Sequence, residues 1–116
     1  MGMGIGVEIS VEQEGDIYLV TIEGRIDAST TPIVEKKLSK LLEISKKIVI
    51  DCSNIDYLSS AGMRLLLSMT KKMHAEKGKI GFFGMSDDVM EIIRMAGFER
   101  ILKIYSTRKE ALKSLE

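Results

Sequence analysis

A chain of 116 residues, 45% of them hydrophobic, is long enough for one compact domain with a core of its own and too short for two. Seventeen basic and seventeen acidic residues give zero formal charge, which offers no electrostatic attraction to nucleic acid or to an anionic membrane surface. The lone cysteine, Cys52, excludes an internal disulfide and suits a reducing compartment, and with a single histidine, His74, there is no set of ligands for a metal cluster.

The chain opens on Met1 to Gly6, whose alternating glycines are expected to make a loosely held end. The N-terminal stretch has neither the basic n-region nor the apolar h-region of a signal peptide. Met1-Gly2 alone is too little to read as a myristoylation signal. No apolar run approaches the roughly 20 residues of a membrane span, so a cytoplasmic protein is expected. Val7, Ile9 and Val11 alternate with polar residues, the period-two pattern of a half-buried strand. Gln13 to Asp16 reads as a turn, and Ile17 to Ile22 as the second strand of an antiparallel hairpin, with Gly24-Arg25-Ile26-Asp27 ending it. After the polar loop Ala28 to Thr31, Thr31 as cap and Pro32 at the first helical position open a helix. Val34, Leu38, Leu41 and Leu42 form its apolar stripe.

Lys46 to Ile50 predicts a buried strand with Ile48, Val49 and Ile50 at the centre of the sheet. A polar turn, Asp51 to Asn54, and a short apolar step through Ile55, Tyr57 and Leu58 follow. A second helix is expected from about Ala61 to Glu76, with Met63, Leu66, Leu67, Thr70 and Met73 near one face. Ile80 to Phe83 is another strand, and Gly84-Met85-Ser86 a loop whose serine caps a third helix. Val89, Ile92, Ile93 and Ala96 make that helix's buried stripe, and Gly97 closes it. A short last strand falls within Phe98 to Ile104, and Thr107 to Glu110 is a capping box for a final helix with Ala111, Leu112 and Leu115 inward. The order predicts a single small α/β domain over residues 1–116. Its mixed β-sheet has an N-terminal antiparallel hairpin and parallel βαβ crossovers, packed with about four helices.

Chemistry has few places to reside. Cys52 and His74 lie on different elements, and nothing places Cys52 at a helix N-terminus, so a structural cysteine and a surface histidine are the simpler reading. Asp51 and Asp27 at strand ends suggest a phospho-accepting aspartate, but the acidic pair and late lysine of a receiver domain are missing. Asp51 is then a turn residue accepting backbone N–H bonds. The glycines make no phosphate loop, and the methionines at helical positions read as core filler. That leaves Ser59-Ser60-Ala61-Gly62, small residues where a helix begins beside free N–H groups and the positive end of the helix dipole. A serine there is ordinarily just a cap. Two adjacent serines exceed what capping needs, and Gly62 in the first turns suggests a close approach.

The run Asp51 to Met63 resembles the signature of the anti-sigma factor antagonists, the bacterial STAS domain: a strand ending in an Asp-x-Ser turn, an aromatic and an aliphatic residue, then acid–Ser–Ser/Thr–Gly–Leu. Gly24-Arg25-Ile26-Asp27 resembles that family's Gly-Glu-Leu-Asp segment, and length and element order fit across nearly the whole chain. The resemblance implies a regulator with no enzymatic activity and no cofactor of its own. Its unphosphorylated form binds an anti-sigma factor that is also a serine kinase, freeing a sigma factor. The kinase uses ATP to phosphorylate a serine at the helix start, here Ser60 with Ser59 as runner-up, and a PP2C-type phosphatase reverses this. The implied partner surface holds Asp27, Ser59, Ser60, Ala61, Gly62, Met63, Arg64 and Met85. The chain departs from the pattern at Ser59, where the family has an acid, at Ala61, where it has a second hydroxyl, and at Arg64, where a small residue is usual. The alternative is a STAS-like scaffold or ligand-sensing domain that is never phosphorylated.

Overall fold

Period-two alternation at the start of the chain becomes a hairpin in the computed structural model, which describes residues 6–116. The expected loose end at Met1 to Gly6 thus lies, but for Gly6, outside the described residues. Strands β1 (Val7–Glu14) and β2 (Ile17–Ile26) pair antiparallel from Val7 opposite Gly24 to Glu14 opposite Ile17. The expected four-residue turn contracts to Gly15-Asp16. Gly15 takes a φ of 64° and Asp16 does not go positive, as a type II′ hairpin requires.

Helix α1 (Thr31–Ile44) starts one residue earlier than its composition suggests, with Thr30 at the cap position and Pro32 second in the helix. Neither threonine hydroxyl caps a helical N–H. Thr30 Oγ1 donates to the Arg25 carbonyl at 2.7 Å and Thr31 Oγ1 donates to the Asp27 carbonyl, 2.6 Å away, so both tie the helix to the end of β2. Strand β3 (Lys47–Leu58) lies at the middle of a five-stranded sheet in the order β1-β2-β3-β4-β5, parallel to β2 and to β4 (Lys79–Phe83). Helix α2 (Ser60–Ala75) and helix α3 (Asp87–Met95) follow β3 and β4. A two-residue parallel edge strand, β5 (Ile104–Tyr105), and the short helix α4 (Arg108–Ser114) complete the chain. The mixed sheet, the hairpin and the four helices are as expected.

The sheet is covered unequally. On one face α1, α2 and α3 bury Leu38, Leu66, Met69 and Ile93 against Ile22, Ile48 and Ile50. On the other, α4 alone seals a small cluster of Ile17, Leu19, Val49 and Phe83 beneath Ala111 and Leu115. The buried face of α2 includes Leu65 and Met69 in addition to the expected residues, whereas Leu67 is only half-buried. Ala96, expected inside, is exposed because α3 ends at Met95 and the chain turns away through Gly97 at φ 80°.

The largest correction concerns Asp51 to Asn54. These residues have the composition of a turn, yet they belong to β3, paired with β2 through two register shifts. Thr21 faces Asp51 and Glu23 faces Asn54, then Gly24 faces Ile55 and Arg25 faces Tyr57, so β3 carries the surplus residue at each bulge. Asp51 Oδ1 accepts from the Ser53 amide at 2.9 Å and from its hydroxyl at 2.6 Å, a local contraction that accommodates the first surplus residue.

Two substitutions test this arrangement. Val49 is fully buried in the small cluster under α4, so Val49→Asp places an unpaired charge there and should abolish the cooperative thermal transition. An added Cβ at Gly62 would stand 2.6 Å from Ile26 Cγ2 and 3.0 Å from the Ile26 carbonyl oxygen. Gly62→Ala should therefore lower stability by about 1–3 kcal/mol in denaturant unfolding despite alanine's better helix propensity.

Candidate functional site

Beyond Asp51 strand β3 has no partner in β4 and leans on β2 alone, as far as Leu58 opposite Ile26. The next residue makes the last backbone bond of that pairing, its N–H donating to the Ile26 carbonyl at 2.9 Å. That residue is Ser59, and the helix starts immediately after it. Its extended backbone (φ −81°, ψ 171°) and its Oγ, accepting from the Gly62 amide at 3.1 Å, make it the N-cap of α2.

The two serines thus have different tasks. The half-buried hydroxyl of Ser59 is committed to the helix, whereas Ser60, the first helical residue and one earlier than expected, is exposed. Among the described residues the Ser60 hydroxyl has no hydrogen-bond partner. The first turn of α2 carries no acidic side chain, so the positive end of its dipole is not offset from within the helix. Arg64, also exposed, lies four residues after Ser60 on the same helical face. Ala61 is half-buried.

Gly62 and Met63 point the other way. Gly62 is pressed against Ile26 and Leu58, so the close approach that its position suggested is made by the protein's own strand ends. Met63, expected on the partner surface, is 6% exposed within the main core.

Asp27 follows Ile26 directly and so stands at the same strand ends as Ser59. Its Oδ1 accepts from the Ser29 amide at 3.0 Å, the Ser29 hydroxyl at 2.8 Å and the Thr30 amide at 3.0 Å. The Ser29 hydroxyl, followed by the Thr30 amide, holds this carboxyl below the usual carboxylate range. Its charge therefore organises the β2–α1 loop, and a reversal there would disturb that loop as well as any bound partner. Its Oδ2 is 3.8 Å from Arg25 Nε, and the Arg25 guanidinium lies over the Tyr57 ring at 4.4 Å. Sequence reasoning passed over this exposed pair. Only the bulged register sets Arg25 opposite Tyr57, and no spacing along the chain shows it.

Met85 is half-buried against the main core, following Gly84, whose φ of 78° brings it against Ser53. It leaves the sheet near Ser53, six positions before Ser59, and no hydrogen bond ties its loop to the serines. Cys52 is buried and its Sγ contacts the Ile50 carbonyl at 3.8 Å, while His74 is exposed near the far end of α2. Burial, with a smaller effect from Asp51, pushes the thiol far up, so no thiolate forms near neutral pH. No group of acidic, histidine and cysteine side chains among the described residues could hold a metal ion. None of the described helices is long and apolar enough to cross a membrane.

The fold is shared with known proteins. The anti-sigma-B factor antagonist of Listeria monocytogenes is 27% identical, over 93% of this chain and 95% of its own. An anti-sigma factor antagonist from Mycobacterium paratuberculosis superimposes with a TM-score of 0.87 at 23% identity, covering 99% of this chain and 98% of the other. The Bacillus cell fate determinant SpoIIAA, solved in its phosphorylated form, superimposes with a TM-score of 0.71 at 15% identity, covering 94% and 100%. The STAS domain family model matches residues 8–111, from the first strand into the last helix, and the chain belongs to that family.

Proposed function

We propose that this protein is an anti-sigma factor antagonist, a binding protein without catalytic activity whose partner is an anti-sigma factor and serine kinase. The observation that carries the reading is the division of labour between the serines: Ser59 caps α2 and Ser60 presents an uncommitted hydroxyl at the helix start. The names of its curated relatives and a fold relative solved in phosphorylated form support it. The partner docks over the start of α2 and the neighbouring β2–α1 loop while Ser60 is unmodified. The kinase transfers the γ-phosphoryl group of ATP to Ser60 Oγ, releasing ADP and the hydroxyl proton, and a PP2C-type phosphatase hydrolyses the ester.

A phosphate on Ser60 adds roughly −1.5 to −2 charges at pH 7. The free amides and dipole of α2 tolerate that charge, and Arg64 is placed one turn away to meet it, so the modified domain keeps its fold. A partner seated on the same patch has to desolvate the new charge or clash with it. A loss of about 3 kcal/mol weakens binding more than a hundredfold, so the switch needs no rearrangement of the domain.

Ser60→Ala should bind the partner constitutively and take up no phosphate from kinase and ATP, whereas Ser60→Asp should stay folded and bind poorly in calorimetric titration. Ser59→Ala removes the bond to the Gly62 amide and should cost about 1 kcal/mol of stability while leaving Ser60 a substrate. Phosphate mapped by mass spectrometry to Ser59, with Ser60→Ala still accepting it, would overturn the assignment of the residue.

A further inference from the structure

At the end of α2 remote from Ser60, a cleft of about 760 Å³ opens between the last turns of α2, strands β4 and β5, and α4. Cavities of roughly 300–1,000 Å³ are the size that encloses small organic ligands. Ile101, 42% exposed, and Tyr105 supply an apolar lining, with the largely buried Leu115 at its border. Around them stand Lys71 and His74 from α2, Lys79 from β4 and Lys103 from the approach to β5. No carboxylate lines the cleft among the described residues, and none of these four side chains is in an ion pair. The contrast with Lys46 and Lys47, each held 3.1 Å from a carboxylate oxygen of Glu76 or Asp16, is direct. Of the three lining hydroxyls, Thr70 donates to the Leu66 carbonyl at 2.9 Å and Ser114 to the Ala111 carbonyl at 2.7 Å, which leaves that of Tyr105.

We propose that this cleft binds an amphipathic organic anion, its carboxylate or phosphate head set among the lysines and its apolar body along Ile101, Tyr105 and Leu115. The charge selects the sign of the ligand. In a chain of zero formal charge, cations gathered from three segments with no acid between them form a local positive field, and low-dielectric walls strengthen it. The apolar lining selects against a bare inorganic ion, for which these side chains offer nothing. Helix α2 rises 1.5 Å per residue, so His74 lies about 20 Å from Ser60, and ligand and partner can be bound together. The inference stands independently of phosphorylation.

The test is a titration of the ¹⁵N-labelled full chain with dodecanoate, dodecyl phosphate and dodecyltrimethylammonium, each below its micellar concentration, and with inorganic phosphate. The two anionic amphiphiles should shift the amides of Lys71 to Lys79 and Lys103 to Tyr105 saturably, and whichever binds tighter identifies the head group. The cationic amphiphile and inorganic phosphate should not. Lys71→Glu with Lys103→Glu should weaken the better anion by more than about tenfold, or about 1.4 kcal/mol, with an unchanged melting temperature. Ile101→Ser, at an already exposed position, should weaken it too and serves if the charge reversals unfold the chain. Equal shifts from the cationic amphiphile, shifts confined to other surfaces, no response to either anion, or undiminished affinity in the folded variants would each overturn the proposal.

Discussion

One backbone bond, from the Ser59 amide to the Ile26 carbonyl, decides where the second helix begins. It terminates the β2–β3 pairing and sets the Ser59 hydroxyl toward Gly62, and it leaves Ser60 as the first residue free to face solvent. The bond is possible because β3 outruns β4 and stays paired with β2, absorbing two surplus residues on the way. Had either bulge been absent, another residue would have met Ile26, and side chains beyond it would have changed face. The small side of Gly62 then lets the helix settle against Ile26 and Leu58, fixing its angle as well as its start.

Local chemistry made much of this legible. The hairpin, the buried strand at Ile48 to Ile50, the caps at Ser86 and Thr107, and the closing Gly97 are all produced by neighbours in sequence, and all are where the residues suggest. That Asp27 stands near the serines is an expectation from the family resemblance, and the Ser59–Ile26 backbone bond brings the two strand ends together. What escaped sequence reasoning was set at a distance. Asp51-Cys52-Ser53-Asn54 has turn composition, and only the presence of β2 alongside makes it strand. Gly62 announces a close approach without saying to what, and the answer lies 36 residues away at Ile26. Arg25 over Tyr57 depends on the bulged register, which period-two arguments cannot supply.

Helix α2 joins two surfaces of different character. At its start the free amides and Ser60 offer a compact polar spot, built from backbone and small side chains, where a single added group changes the local charge. Its end borders a wider cleft walled by long cations and apolar side chains. The core beneath, with Leu66, Met69 and Met73 fully buried, holds the helix as one rigid piece between them. The two ends thus differ in kind rather than in sign, backbone amides and one small hydroxyl at the start and long side-chain cations at the finish.

The strands lie side by side in the same order in which they occur along the chain. A polypeptide leaving the ribosome can therefore lay each new strand on the open edge of those already formed. None has to be threaded between two earlier ones, and each pairing closes a loop no longer than one helix and its turns. The hairpin offers a template as soon as it emerges, and β3 meets a partner already formed. Synthesis from the N-terminus and growth of the sheet run in the same direction. Helix α4, which seals Val49 from the far side, arrives after every strand of the sheet.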